Sequence, residues 1–226
     1  TQLDQHAPAH CILASNTSSI SITQLANATK RPNQVIGMHF MNPVPVMKLV
    51  EVIRGYATSD EVTERIMEMS RTLGKSPVEV NDYPGFVANR ILMPYLIEAV
   101  YLASGDAGIK RVDRLLRKFG MPMGPFRLID EVGGDVCQHV ADDLLNRLST
   151  KFPNSNTLRK MIEVGDLGKK SGRGFYKYSG GKSNGVSSKV PTSSLIATYT
   201  DEEIVDRLIL IMVNEAVRCL EEGVVE

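Results

Sequence analysis

The spacing of apolar positions changes character once along the chain. Up to Pro84 short apolar runs alternate with polar turns, and beyond it the apolar positions recur at helical spacing. Residues 11–14 and 35–40 are short apolar runs, the first followed by the polar cluster Ser15-Asn16-Thr17-Ser18-Ser19 and the second by a turn holding Pro43 and Pro45. Both read as buried strands. After the turn, Met47, Leu49, Glu51 and Ile53 fall on one face of a further strand, because strand side chains alternate with period two. Thr58 and Glu61 fit a capping box, and Val62, Ile66, Met69 and Leu73 predict a helix that Gly74 ends. Residues 76–80 return as a strand, and 81–84 read as a hinge.

From Gly85 the predicted elements are helices. Phe86, Asn89, Met93 and Leu96 or Ile97 form one stripe with Asn89 as its polar member, and Pro94, which lacks an N–H, should bend that helix. Val112, Leu115, Leu116 and Phe119 mark the next, closed by Gly120. Residues 126–132 and 133–148 continue as helix, and Leu158, Met161 and Ile162 carry a short one. A basic, Gly-rich loop over 165–174 leads into the aromatic strand Phe175-Tyr176-Lys177-Tyr178. Residues 179–198, rich in Gly, Ser, Lys and Asn, read as a linker. Thr200 and Glu203 form a second capping box before Ile204, Leu208 and Ile211. Residues 207–217 echo 90–100, with Arg at the start and Glu-Ala-Val at the end of each. The order of elements predicts an α/β portion followed by an all-α portion.

The candidate chemistry begins with Glu51, a carboxylate on an apolar strand face, which is costly there unless paired. His39, at the end of the adjoining strand, is the nearest partner, and a His held by a carboxylate is a general-base arrangement. A satisfied core His and a structural ion pair fit the same spacing. Composition narrows the classes. The 226 residues carry 26 Lys and Arg against 26 Asp and Glu, which argues against a nucleic-acid surface. Cys11, Cys137 and Cys219 are widely spaced and read as free thiols of a reducing compartment. The longest strongly apolar run, 208–213, is far short of a membrane span. His, Cys and carboxylate spacings suggest no zinc site. No G-x-G-x-x-G turn occurs, so a dinucleotide would lack its pyrophosphate cradle within these residues.

Four stretches together resemble a known family: Ile12-Leu13-Ala14-Ser15-Asn16-Thr17-Ser18-Ser19, Gly37-Met38-His39-Phe40-Met41-Asn42-Pro43-Val44, Met47-Lys48-Leu49-Val50-Glu51-Val52 and Asp82-Tyr83-Pro84-Gly85-Phe86-Val87-Ala88-Asn89-Arg90. They are similar to the L-3-hydroxyacyl-CoA dehydrogenase family, and within it most to the dehydrogenase part of the multifunctional alpha subunit of fatty-acid beta-oxidation complexes. The resemblance implies the C-terminal part of a Rossmann-type NAD-binding domain over 1–82 and a helical domain like the C-terminal domain of 6-phosphogluconate dehydrogenase over 83–178. A linker over 179–198 and the first helix of a truncated second helical domain over 199–226 would follow. It implies NAD-dependent oxidation of 3-hydroxyacyl-CoA to 3-ketoacyl-CoA, with His39 as base and Glu51 orienting it. Ser18 would meet the substrate hydroxyl beside the nicotinamide, Asn89 the substrate, Asn42 the nicotinamide side or His39, and Lys170 the cofactor.

The expected partners are the acyl-CoA pair, a thiolase subunit and a second copy of the chain, with no nucleic acid and no membrane span. The expected compartment is the cytoplasm of a bacterium, with peroxisome and mitochondrion as the other settings. Because the opening residues look like the end of a helix, the chain is expected to be a fragment with the Gly-rich fingerprint upstream, so that on its own it binds NAD very weakly. Two other readings are an inactive docking module of an oxidation complex and a dehydrogenase of small hydroxy acids without CoA.

Overall fold

The structure is a computed structural model that describes residues 2–103, 108–148, 156–187 and 199–226. It divides into two compact units, Thr1–Arg90 with Ala216–Glu226, and Ile91–Glu215.

In chain order the first unit holds α1 (Gln2–His6), β1 (Leu13–Ser15), α2 (Ile22–Asn27), β2 (Val35–Phe40), β3 (Leu49–Arg54), α3 (Asp60–Thr72) and β4 (Ser76–Asn81). The strands lie side by side in chain order, with β1 parallel to β2, β2 antiparallel to β3, and β3 parallel to β4. The reversal between β2 and β3 needs only the short proline turn, whereas each parallel step requires a crossover through α2 or α3. Ile36, Met38, Val50 and Val52 of the two central strands bury against Val62 and Ile66 of α3. That helix presents the apolar spacing expected of it, but Ser59 caps it, accepting from Val62 N–H, and not Thr58. Thr58 is buried, and its hydroxyl donates to Val35 O while accepting from Gly55 N–H. A Thr hydroxyl held between Gly55 N–H of the preceding loop and Val35 O of β2 is drawn away from the start of the helix.

The chain continues through α4 (Ala88–Ala103), α5 (Ile109–Phe119), α6 (Pro125–Val132), α7 (Gly134–Arg147), α8 (Thr157–Glu163), β5 (Tyr176–Ser179), β6 (Lys182–Val186) and α9 (Asp201–Glu221). The core of the second unit gathers Leu96 and Val100 of α4, Leu116 of α5, Phe126 of α6, Phe175, and Ile204 and Leu208 of α9. Helix α4 runs unbroken through Pro94. The capping box at α9 forms, with Glu203 Oε2 accepting from Thr200 N–H at 2.8 Å and Thr200 Oγ1 accepting from Glu203 N–H at 3.2 Å.

Two expected boundaries differ. Residues 182–186, read as linker, are a strand paired antiparallel with β5, because Gly180 and Gly181, both at positive φ, close a hairpin turn that other residues strain to make. Residues 188–198 of that linker lie outside the described residues. Residues 199–226 do not form a unit of their own: those up to Glu215 belong with the helical unit and the rest with the sheet unit. The three cysteines are free. Among the described residues no helix is long and apolar enough to cross a membrane.

Candidate active site

The antiparallel register of β2 and β3 places His39 directly opposite Glu51. Their side chains meet, His39 Nδ1 lying 2.7 Å from Glu51 Oε2, and both residues are buried, at 8% and 1% exposure. A carboxylate so enclosed is tolerable only with every lone pair engaged. Here the other oxygen, Oε1, accepts from the backbone N–H of Val87 at 2.9 Å and Ala88 at 2.8 Å. These N–H groups open α4, where the first turn has no intrahelical acceptors and the helix dipole favours an anion. Glu51 thus caps a helix with one oxygen and holds an imidazole with the other.

The capping depends on the turn before α4. Phe86, a non-glycine residue at φ 52, donates its N–H to Tyr83 O, and the chain then turns Val87 and Ala88 toward the carboxylate. The buried Phe86 ring also leans on the imidazole, with centroids 6.0 Å apart at 56°. Since a carboxylate takes the Nδ1 proton, the neutral imidazole carries its lone pair on Nε2. A neutral imidazole with Nε2 as acceptor is competent to remove a hydroxyl proton.

Two loops frame this pair. Asn16, just after β1, accepts from Phe40 N–H at 2.9 Å, tying the end of β1 to the residue next to His39. Thr17 Oγ1 accepts from Ser19 and Ile20 N–H, which folds the loop that carries Ser18. Asn89, in the first turn of α4, donates through Nδ2 to the backbone carbonyl of Ser18 at 2.9 Å. The structure therefore joins Ser18 and Asn89 by a hydrogen bond and joins His39 to Glu51. Asn42 is exposed just beyond β2, at a cis peptide with Pro43. Lys170 belongs to the other unit, and its ammonium is engaged by Asp135, 2.8 Å from Oδ2.

Phe86, expected on the stripe of α4, instead lies in the turn before that helix at positive φ, and no role was assigned to Asn16 or to the N–H groups of Val87 and Ala88. Asn16 carried a signal, an Asx residue closing a strand. Residues 87 and 88 carried none, since any residue except proline offers an N–H.

Comparison with known proteins agrees with this architecture. Residues 1–83 match the family described as 3-hydroxyacyl-CoA dehydrogenase, NAD binding domain, and residues 85–178 match the 3-hydroxyacyl-CoA dehydrogenase C-terminal domain. A protein of Bacillus subtilis named "Probable 3-hydroxybutyryl-CoA dehydrogenase" is 53% identical over 180 residues, covering 78% of this chain and 62% of its own length. The fatty acid oxidation complex subunit alpha of Acinetobacter baylyi is 41% identical over 228 residues, covering 95% of this chain and 32% of its own. Among solved structures, the (S)-3-hydroxybutyryl-CoA dehydrogenase of Ralstonia eutropha superposes with a TM-score of 0.74 at 43% identity over 79% of this chain and 64% of that one. The dehydrogenase part of multifunctional enzyme 1 from C. elegans covers the whole chain and 53% of its own, with a TM-score of 0.67 at 27% identity.

The fold is thus a Rossmann-type NAD-binding portion followed by a helical C-terminal domain. The chain belongs to the 3-hydroxyacyl-CoA dehydrogenase family. It spans less than two thirds of the length of the Bacillus relative.

Proposed function

We propose that these residues serve an NAD-dependent L-3-hydroxyacyl-CoA dehydrogenase, which oxidises the secondary alcohol of a 3-hydroxyacyl thioester to a 3-ketoacyl thioester. The observation that carries this reading is the buried 2.7 Å contact of His39 with Glu51, which leaves Nε2 as the proton acceptor. His39 takes the hydroxyl proton through Nε2. Glu51 holds the ring in that tautomer and balances the imidazolium that forms. The Ser18 hydroxyl and the second N–H of Asn89 Nδ2 are the neutral donors available to the substrate oxygens, the first N–H being committed to the Ser18 carbonyl.

When bound, NAD supplies the hydride acceptor. Ser18 and the exposed Asn42, at the carboxyl ends of β1 and β2, suit its nicotinamide end, since ligands of open α/β sheets bind beyond those ends. Lys170 could approach the cofactor only by leaving Asp135.

The alpha-subunit relatives cover 95% or more of this chain, against 78% for the single-activity relative from Bacillus, and this favours a place in a multifunctional protein. A thiolase subunit is then the fitting partner, because a 3-ketoacyl thioester is its substrate. The test is NADH oxidation by the full-length protein with acetoacetyl-CoA and, separately, with free acetoacetate. Turnover with the thioester alone is expected, whereas equal turnover of the free acid would move the protein to the small hydroxy-acid dehydrogenases.

A further inference from the structure

Several cations on the surface of the helical unit are held in ion pairs. Arg111 meets Asp201, Arg159 meets Asp142, Lys169 meets Glu131, Lys170 meets Asp135 and Arg207 meets Glu98. One face of α5 is different. Lys110, Arg114, Arg117 and Lys118 recur there at spacings of three and four, so their side chains neighbour one another. All four are exposed, and among the described residues none has an ion-pair partner. Like charges at this spacing repel, and the helix dipole at the last turn favours only Arg117 and Lys118.

These four side chains line a cleft of about 520 Å³ between α5 and β6, closed on the third side by Arg127 and Tyr176. The Arg127 guanidinium lies over the Tyr176 ring, 4.6 Å from its centroid, so its planar donors are oriented in advance. Ser183, on β6, adds a neutral hydroxyl. The one carboxylate at the cleft, Asp113, is buried and turned inward, accepting from Phe126 N–H at 3.0 Å and from the Tyr176 hydroxyl at 2.7 Å.

We propose that this cleft binds a small anion carrying two or more phosphate groups. Five cations converge on a volume within the range of small-molecule sites, ~300 to 1,000 Å³, and the four on α5 span roughly 12 Å of helix at 1.5 Å per residue. Three of the five are Arg, whose fork matches phosphate oxygens two at a time. The chain as a whole is neutral, so the excess charge is local and does not form the long stripe a nucleic acid would track. The cleft lies wholly within the helical unit, whereas His39 and Glu51 belong to the sheet unit.

The probe is inorganic pyrophosphate, titrated calorimetrically into the 226-residue chain at low ionic strength. Saturable one-to-one binding that weakens as salt rises is expected. Arg114→Gln with Arg117→Gln should weaken it at least tenfold with an unchanged thermal melt, and the corresponding Lys substitutions should retain part of the affinity. Should the Gln pair melt early, Lys110→Gln with Lys118→Gln is the second variant, with the same expected loss. Absence of saturable heat, or wild-type affinity in a folded Gln variant, overturns the proposal. So does displacement of pyrophosphate by an equal concentration of an oligoglutamate peptide, which would assign the cleft to an acidic polypeptide.

Discussion

The imidazole of His39 and the carboxylate of Glu51 stand 2.7 Å apart at directly opposed positions of two antiparallel strands. The contact is set by strand register, so it persists wherever the β2–β3 pair is folded. Replacing His39 by Ala removes the proposed base and leaves Glu51 Oε2 facing a void. We expect kcat to fall about 10²- to 10⁴-fold, the usual contribution of a general base. The steady-state rate of acetoacetyl-CoA reduction by NADH in the full-length protein checks this. A loss under tenfold in a folded variant would remove His39 from the proton transfer.

Glu51→Gln preserves shape but reverses the tautomer of the imidazole. The carboxamide oxygen can keep both backbone N–H groups, of Val87 and Ala88, that Oε1 now accepts from. Its NH₂ then faces His39 Nδ1, which can accept only when the ring proton sits on Nε2. A protonated Nε2 cannot take a hydroxyl proton, so the variant should lose most of its activity with little change in its urea midpoint, whereas a site that needs only the shape of Glu51 would lose neither.

The His39 and Glu51 pair was legible in part: period-two alternation sets Glu51 on a buried strand face, whereas the position of His39 directly opposite it is fixed by the register of β2 with β3. The Ser18 to Asn89 bond was not, since it joins residues 71 apart through a fold that local spacing does not encode. The capping of α4 by Glu51 is hidden for the same reason. Strand β6 was misread because Lys182-Ser183-Asn184-Gly185 has linker composition, and only its pairing with β5 makes it a strand. At α3 the local rule selected the wrong neighbour, Thr58 over Ser59, because tertiary hydrogen bonds had already engaged Thr58.

The pairing of Gly37 with Ile53 leaves no room for a side chain. A Cβ on Gly37 would sit 2.7 Å from Ile53 Cβ and 3.0 Å from Ile22 Cδ1. Gly37→Ala must spread β2 from β3 two residues from His39, and overpacking of this kind costs about 1–3 kcal/mol. A lower urea midpoint is expected, and unchanged stability would show that the strands part more easily than their packing indicates.

Tyr95 offers a change of the opposite sign. It is fully buried, and its hydroxyl has no hydrogen-bond partner among the described residues. Desolvating an unpaired hydroxyl is unfavourable, by about 1–3 kcal/mol. Tyr95→Phe should then leave Tm unchanged or raise it. A fall of several degrees would reveal a partner for the hydroxyl.

Asp113 and Asp130 give the helical unit a pH dependence of its own. Burial is the main cause lifting both carboxyls above the ordinary value of 3.8, partly offset by the Tyr176 hydroxyl and the Phe126 N–H at Asp113 and by the Tyr176 and Phe175 N–H groups at Asp130. A carboxyl whose folded pKa is raised holds its proton longer in the folded state, so its contribution to stability falls as pH rises from about 3.8 through the raised value and is constant above it. Asp135 and Glu222 run the other way: Lys170 and Arg90 hold them low, and their contribution is lost only as pH falls below the ordinary carboxyl values. The two slopes have opposite signs and overlap only between 3.8 and 4.5, so urea midpoints above and below that interval resolve them. Asp113→Asn should flatten the upper one at little cost, since its oxygen keeps the Phe126 N–H and the Tyr176 hydroxyl can turn to accept from the new NH₂. Asp130→Asn cannot adjust in this way, because both carboxylate oxygens accept from backbone N–H groups, of Phe175 and Tyr176, that have no acceptor of their own to offer. It should destabilise the helical unit at every pH, and equal behaviour of the two variants would mean that burial alone governs both carboxyls.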